Sequence, residues 1–140
     1  MGMDTRGRGF IRASAGVDTR WVVEGVGGLM VPLSGEALVT DLIGRLDLPV
    51  LIASSTRLGT INHTLMTAHV LRSKGLRRLG IVLIGPEDPS ALTGISAHAD
   101  MPILGRLPIV DPLTPAALRA EGQGLLSASP VLRAALKAAS

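Results

Sequence analysis

The chain has 140 residues, the size of one ordinary domain, with 46% hydrophobic and 18% charged residues and a formal charge of +3. That composition excludes an intrinsically disordered chain, and the near-neutral balance with one Trp, one Phe and no Tyr argues against a nucleic-acid-binding face built on charge and base stacking. No cysteine is present, so disulfides, thiolate nucleophiles and Cys-type metal centres are excluded. No apolar run is long enough to span a bilayer and no signal-type apolar stretch follows the N-terminal charges, so the expected location is the cytoplasm.

Residues 1–19 carry Arg6, Arg8 and Arg12 among Gly, Ser and Asp without a clear period. They are expected to form a loosely ordered leader with at most one turn near Ile11. From residue 20 to 140 the sequence reads as one α/β domain. Trp21-Val22-Val23 reads as a short strand ending at Glu24, followed by the glycine cluster Gly25-Val26-Gly27-Gly28. Ser34 reads as the N-cap of a helix over 36–46. Leu48 to Ala53 is a second aliphatic strand, Ser54 to Arg57 a polar loop, and Thr60 to Ser73 a helix stopped by Gly75. Leu79 to Ile84 is a third strand, broken at Gly85-Pro86. A short polar helix or loop is expected at 91–97, edge-strand pieces at 102–105 and 107–110, and two closing helices at 115–121 and 130–139. Pro115 suits a first helical turn. Continuous Val/Ile/Leu strands alternating with helices predict an α/β fold with a mainly parallel sheet flanked by helices. In such folds ligands gather at the carboxyl ends of the strands.

Two clusters lie at those ends. Glu24 with three glycines in the next four residues can hold a hard cation such as Mg2+ and let backbone N–H groups approach a phosphate. The same residues equally suit a tight turn beside a solvated carboxylate. Gly59-Thr60-Ile61-Asn62-His63-Thr64 opens a helix, where free N–H groups favour an anion. Plain N-capping by Thr60 explains the run as well. His63 and His69 are six residues apart, which does not put them on one helix face, so a two-His metal site is not expected. His98 is isolated. The Arg72, Lys74, Arg77 and Arg78 cluster reads as a solvated, favourably charged helix end. No Gly-x-Ser-x-Gly nucleophile context surrounds Ser54 or Ser55.

Val23-Glu24-Gly25-Val26-Gly27-Gly28-Leu29-Met30-Val31-Pro32-Leu33 resembles the VEGAGGLLVPL stretch of the dethiobiotin synthases. Leu48-Pro49-Val50 and Leu58-Gly59-Thr60-Ile61-Asn62-His63-Thr64-Leu65 resemble a strand and the LGTINHTLL helix start of the same family, and Gly105-Arg106-Leu107-Pro108 resembles its late G-x-[LI]-P segment. The resemblance runs from about Trp21 to the end. It implies a P-loop NTPase-like fold, incomplete at the N-terminus in this sequence, and a homodimer. It implies ATP- and Mg2+-dependent conversion of 7,8-diaminononanoate and CO2 to dethiobiotin in biotin biosynthesis. By resemblance Glu24 is the Mg2+ ligand, and Glu24, Gly25, Val26 and Gly27 line the nucleotide. Pro108, Ile109 and Val110 lie near the adenine. Leu58, Gly59, Thr60 and Asn62 hold the substrate carboxylate, reaching into the partner subunit's site.

The sequence departs from that family in two places. A phosphate-binding loop needs a lysine between Gly and Ser/Thr. The two lysines here, Lys74 and Lys137, stand in neither context. The family's other N-terminal catalytic residues also have no match, so no catalytic residue is assigned. Ile84-Gly85 stands where many members have an Asn-Asp pair reading the adenine. The chain thus resembles the C-terminal portion of the family behind a poorly matched start, as a mis-called start codon, a split gene or a decayed gene would give. Loss of the phosphate-loop strand would leave apolar faces and strand edges uncovered. Marginal stability alone, or dependence on an oligomer or a separate N-terminal half, is the expected consequence. A non-catalytic binding module is the other reading, and a cobyrinate amidase-like or partitioning ATPase-like relative a third.

Overall fold

The computed structural model describes residues 2–3, 9–10, 22–25 and 27–138. The elements in order are β1 (Gly2–Met3), β2 (Gly9–Phe10), β3 (Pro32–Ser34), β4 (Ala37–Leu38), α1 (Val39–Leu46), β5 (Val50–Ser55), α2 (Thr60–Ser73), β6 (Arg78–Ile84), α3 (Pro89–His98), β7 (Ile103–Leu107), α4 (Pro115–Ala128) and α5 (Pro130–Ala138). β1 pairs antiparallel with β2, and β3 with β4. The turn expected near Ile11 falls outside the described residues.

The organising element is a three-stranded sheet in the order β5-β6-β7, parallel throughout. This is the α/β architecture expected, a parallel sheet flanked by helices of the P-loop NTPase-like kind. Central strand β6 is aliphatic without polar alternation because both of its faces are covered. Ile81 and Leu83 point to one side, where Ile52 of β5, Ala68 and Leu71 of α2 and Ile95 of α3 complete the main core. Val82 points to the other, against Leu104 of β7 and Leu132 of α5, with Leu125 of α4 packed beside them. Ile81 and Leu71 have no solvent exposure.

β5 differs from β6. Its Ile52 and Ser54 are buried under α2, whereas Leu51, Ala53 and Ser55 on the alternate face are exposed. The layer of α4 and α5 covers β6 and β7 and stops short of β5. The strand also has no partner along its outer edge among the described residues.

The helix ends follow local chemistry. Gly75, at φ +64°, closes α2 with its N–H on the Arg72 carbonyl and the Leu76 N–H on Leu71. Asp88 caps α3 by accepting from the Ala91 N–H at 2.9 Å, and Thr114 caps α4 from Ala117 at 3.2 Å, each with proline at the first helical position. Three cations near the end of α2 have partners: Arg72 and Arg78 reach Asp100 at 3.8 and 3.3 Å, and Arg77 donates to the Asp47 carbonyl at 2.8 Å.

Several expectations need correction. Of the strand expected at Trp21 to Glu24, Trp21 lies outside the described residues, and Val22 to Glu24 belong to no strand among the described residues, with Val22 90% exposed. β-type side chains without a neighbouring strand have nothing to pair with. Ser34 is not a helix cap. Gly35 takes φ +51° and turns the chain between β3 and β4, so α1 starts at Val39, where the Asp41 carboxylate accepts from the Leu38 N–H at 2.7 Å. Ser54 and Ser55 belong to β5 and not to a loop. The pieces at 102–105 and 107–110 are one strand, Ile103–Leu107, and 108–110 lie beyond it. α4 runs on past Glu121 through Gly122 and Gly124 to Ala128, because Leu125 packs against β7 where Gly105 has no side chain to obstruct it.

Among the described residues no helix is long and apolar enough to cross a membrane.

Gly80 sits in the middle of this packing. A Cβ there would fall 2.5 Å from Leu104 Cγ and 2.9 Å from the Pro102 carbonyl oxygen. Gly80→Ala is therefore predicted to destabilise by about 1–3 kcal/mol through overpacking. The check is a lowered denaturant midpoint at unchanged slope.

Candidate functional site

Because β5, β6 and β7 are parallel, their carboxyl ends lie along one edge of the sheet. Hydrogen bonds between the exits keep that edge in register. The Thr56 N–H donates to the Ile84 carbonyl and the Gly85 N–H to the Leu107 carbonyl, each at 2.9 Å. The Arg106 guanidinium donates to the Gly85 carbonyl at 2.8 Å. Gly85 has φ +132°, and a Cβ on it would collide with Thr56 Oγ1. Only glycine lets these two exits approach so closely.

A cleft of about 220 Å3 opens at this edge, between the end of β5 and the start of α2. Ser54 and Ser55 form its strand wall, Arg57 and Leu58 its rim, and Thr60, His63, Thr64 and Thr67 its helix wall. Gly59 is the N-cap of α2, at φ +91°. The Thr60 N–H is taken by the Arg57 carbonyl at 3.0 Å, and the His63 N–H is the first to reach back into the helix, on Gly59. The amides of Ile61 and Asn62 are then first-turn donors with no intrahelical acceptor. A helix start, an exposed arginine and five hydroxyl side chains make the cleft suited to an anion of carboxylate size.

The capping explanation for Thr60 does not hold. Thr60 is the first helical residue and makes no cap bond. Its hydroxyl instead meets Ser54 Oγ at 2.8 Å, and Ser54 also hydrogen-bonds the Thr64 hydroxyl. All three side chains are buried. Ser54 and Thr64 were missed as site residues. Their signal was present: Thr60, Thr64, Ala68 and Leu71 form the one buried stripe of α2, and Ser54 shares a strand face with Ile52.

The other candidate residues fall as follows. Leu58 is fully exposed on the rim. Asn62 is exposed and does not line the cleft, although its amide belongs to the first turn. Pro108, Ile109 and Val110 leave β7 at the same sheet edge, with Ile109 exposed. Glu24, Gly25 and Gly27 do not line the cleft. Gly25 lies by the start of α1, where a Cβ on it would sit 3.4 Å from Val39. Val26 is outside the described residues. Gly27 takes φ +81°, and a Cβ there would press on Val31 at 2.9 Å, so the turn after Glu24 requires glycine. No group of three or more His, Asp or Glu able to hold a metal occurs among the described residues. His69 shares a hydrogen bond with Arg72 at 3.3 Å, away from the cleft.

The comparison with known families agrees with the parallel α/β sheet. A family model described as an AAA domain matches residues 8–117. The chain belongs to that AAA-domain family. Within it, the chain is similar to dethiobiotin synthetases. It is 44% identical over 102 residues to the ATP-dependent dethiobiotin synthetase BioD of Nitrobacter hamburgensis, covering 73% of this chain and 48% of that protein. It is 45% identical over 92 residues to the BioD of Rhodopseudomonas palustris strain BisB18, covering 66% and 44%. The biotin biosynthesis bifunctional protein BioCD of Bordetella avium is 42% identical over 90 residues, covering 64% and 19%. The chain spans about half the length of the dethiobiotin synthetases it matches.

The cleft's geometry rests on Gly59. At φ +91° any L-residue is strained, while a Cβ would have 3.6 Å of clearance from His63. Gly59→Ala is predicted to cost about 1–2 kcal/mol from backbone conformation alone. Gly59→Asn should cost less, since asparagine tolerates this region and can cap. Paired unfolding curves of the two variants check the order.

Proposed function

We propose that this chain serves biotin biosynthesis as the substrate-carboxylate part of a dethiobiotin synthetase, which converts 7,8-diaminononanoate and CO2 to dethiobiotin with Mg2+ and ATP. The observation that carries the reading is the cleft at the start of α2, with Arg57, Thr60 and the first-turn amides around it. In this reading Leu58, Gly59, Thr60 and Asn62 hold the carboxylate, and the exposed Leu58 reaches into the site of a second subunit. An anion near a helix start gains about 0.3–1 kcal/mol when exposed and up to about 2 kcal/mol when partly buried, and Arg57 adds a countercharge at the rim.

The nucleotide side is fitted in part. Glu24 offers one carboxylate beside a glycine turn that needs its positive φ, and one carboxylate with waters and phosphate oxygens is an ordinary Mg2+ environment. Glu24, Gly25, Val26 and Gly27 would line the phosphates and Pro108, Ile109 and Val110 the base. No lysine of the 140 residues stands in a phosphate-loop context. The residues present therefore do not complete a triphosphate site, and no phosphoryl step is assigned to them. When bound, ATP would supply the activation of the carbamate.

The same shortfall favours a partner. β5 carries an exposed apolar face and an unpaired edge among the described residues, and Val22 and Val23 are strand-type residues in the open. We therefore place residues 20–140 as a domain that works with a phosphate-loop segment not contained in these 140 residues, within a homodimer of the assembled unit. A binding module without turnover is the second reading, favoured by the missing lysine.

Two measurements test this. Dethiobiotin formation from Mg-ATP, bicarbonate and 7,8-diaminononanoate is expected to be absent for the chain alone. It should appear when the N-terminal half of a dethiobiotin synthetase is added as a separate polypeptide. Turnover by the chain alone would sink the partner requirement, and no turnover in either case would leave the binding module. In the reconstituted pair, Glu24→Gln should weaken Mg-nucleotide binding tenfold or more with the melting temperature unchanged. An unaltered affinity would remove Glu24 from the metal site.

A further inference from the structure

Ser54, Thr60 and Thr64 form a chain of three buried hydroxyls between β5 and α2. Each hydroxyl has one proton to give and can accept from others. The partner lists of the three oxygens fix where those protons go.

Thr64 is 2% exposed, and Ser54 Oγ is its one side-chain hydrogen-bond partner among the described residues. A buried hydroxyl that keeps its proton to itself is left with an unsatisfied donor, which carries a desolvation penalty. Thr64 therefore donates to Ser54. Ser54, having accepted from Thr64, spends its own proton on its other partner, Thr60. Thr60 accepts that proton, and its own has no acceptor among the described residues. Thr60 lines the cleft. Thr64 also lines the cleft, but it is 2% exposed against 8% for Thr60, so in the reverse order the spare proton would sit on the more deeply buried hydroxyl, with the poorer access to an acceptor in the cleft.

We propose that Thr64 and Ser54 are positioning residues that aim the Thr60 hydroxyl proton into the cleft. This rests on the carboxylate reading of the cleft. The cleft then offers a donor at this point and takes an acceptor group, a carboxylate in preference to an ammonium. Successive hydroxyl bonds polarise one another, which strengthens the last donor of the chain.

The test has two readouts. In mixed H2O/D2O, a hydroxyl proton in slow exchange splits the carbon-13 signal of its own Cβ, and one exposed to the cleft averages it. Split signals are expected for Thr64 and Ser54 and an averaged one for Thr60. An averaged Thr64 with a split Thr60 overturns the proposal. The second readout is a calorimetric titration of the full chain with 7,8-diaminononanoate. Thr64→Val is expected to weaken binding about three- to tenfold and Thr64→Ser to restore it. In a Thr60→Val background Thr64→Val should have no further effect, because the two act in series. An equal loss in both backgrounds would make Thr64 a packing residue and overturn the proposal. If the unaltered chain binds no diaminononanoate while the isotope pattern is as expected, the carboxylate reading fails and the proton order is upheld.

Discussion

The structure depends on one strand being buried on both sides. β6 places Ile81 and Leu83 in the main core and Val82 in the second, so neither helical layer can form without it. Burying a Leu or Ile side chain is worth roughly 1.5–3 kcal/mol, and the central strand and its contacts supply several such terms. Its position also decides the site. Parallel neighbours on each side bring three strand ends to one edge, and the Thr56, Gly85 and Leu107 backbone bonds keep those ends level. The cleft is a consequence of that edge together with the way α2 begins.

The second constraint is the unequal cover of the sheet. Helices α2 and α3 cover one face of β5 and β6. Helices α4 and α5 cover the other face of β6 and β7 only. β5 thus combines a fully structural face, Ile52 and Ser54, with an open one, Leu51 and Ala53. Exposed apolar residues on a strand with no outer partner among the described residues are what a sheet shows where another strand belongs. The half-length match to the relatives points the same way as this bare strand, and neither observation depends on the other.

Much of this was legible in the sequence because it is local. The α2 boundaries follow from Gly59 and Gly75, and β6 from its unbroken aliphatic run. Where the reading failed, the deciding physics was not local. Val22 and Val23 have strand side chains, but a strand exists only with a neighbour. Ser34 has the right chemistry for a cap, but Gly35 turns the chain first. α3 starts at Pro89 and not at 91, set by the Asp88-Pro89 pair, whose capping signal is entirely local. α4 outruns its glycines because Gly105 admits Leu125. The cleft was half legible. Gly59 and Thr60 announce a helix start, whereas the Ser54 link spans six and ten residues and becomes visible only when the buried stripe of α2 is laid on β5.

That link also explains why polar groups are tolerated in the seam. Three apolar side chains at 54, 60 and 64 would hold α2 to β5 as firmly, since satisfied hydroxyls contribute only about 0.5–1.5 kcal/mol per bond. What apolar residues would not do is fix the direction of a donor at the mouth of the cleft. A network with every inner proton spent leaves its one unspent proton at the cleft end, so its value lies in orientation more than in stability. The hydroxyls stand where the sheet edge, the helix start and Arg57 already favour an anion. Three of the five buried polar residues among the described ones, Ser54, Thr60 and Thr64, therefore stand where the carboxylate reading needs a donor.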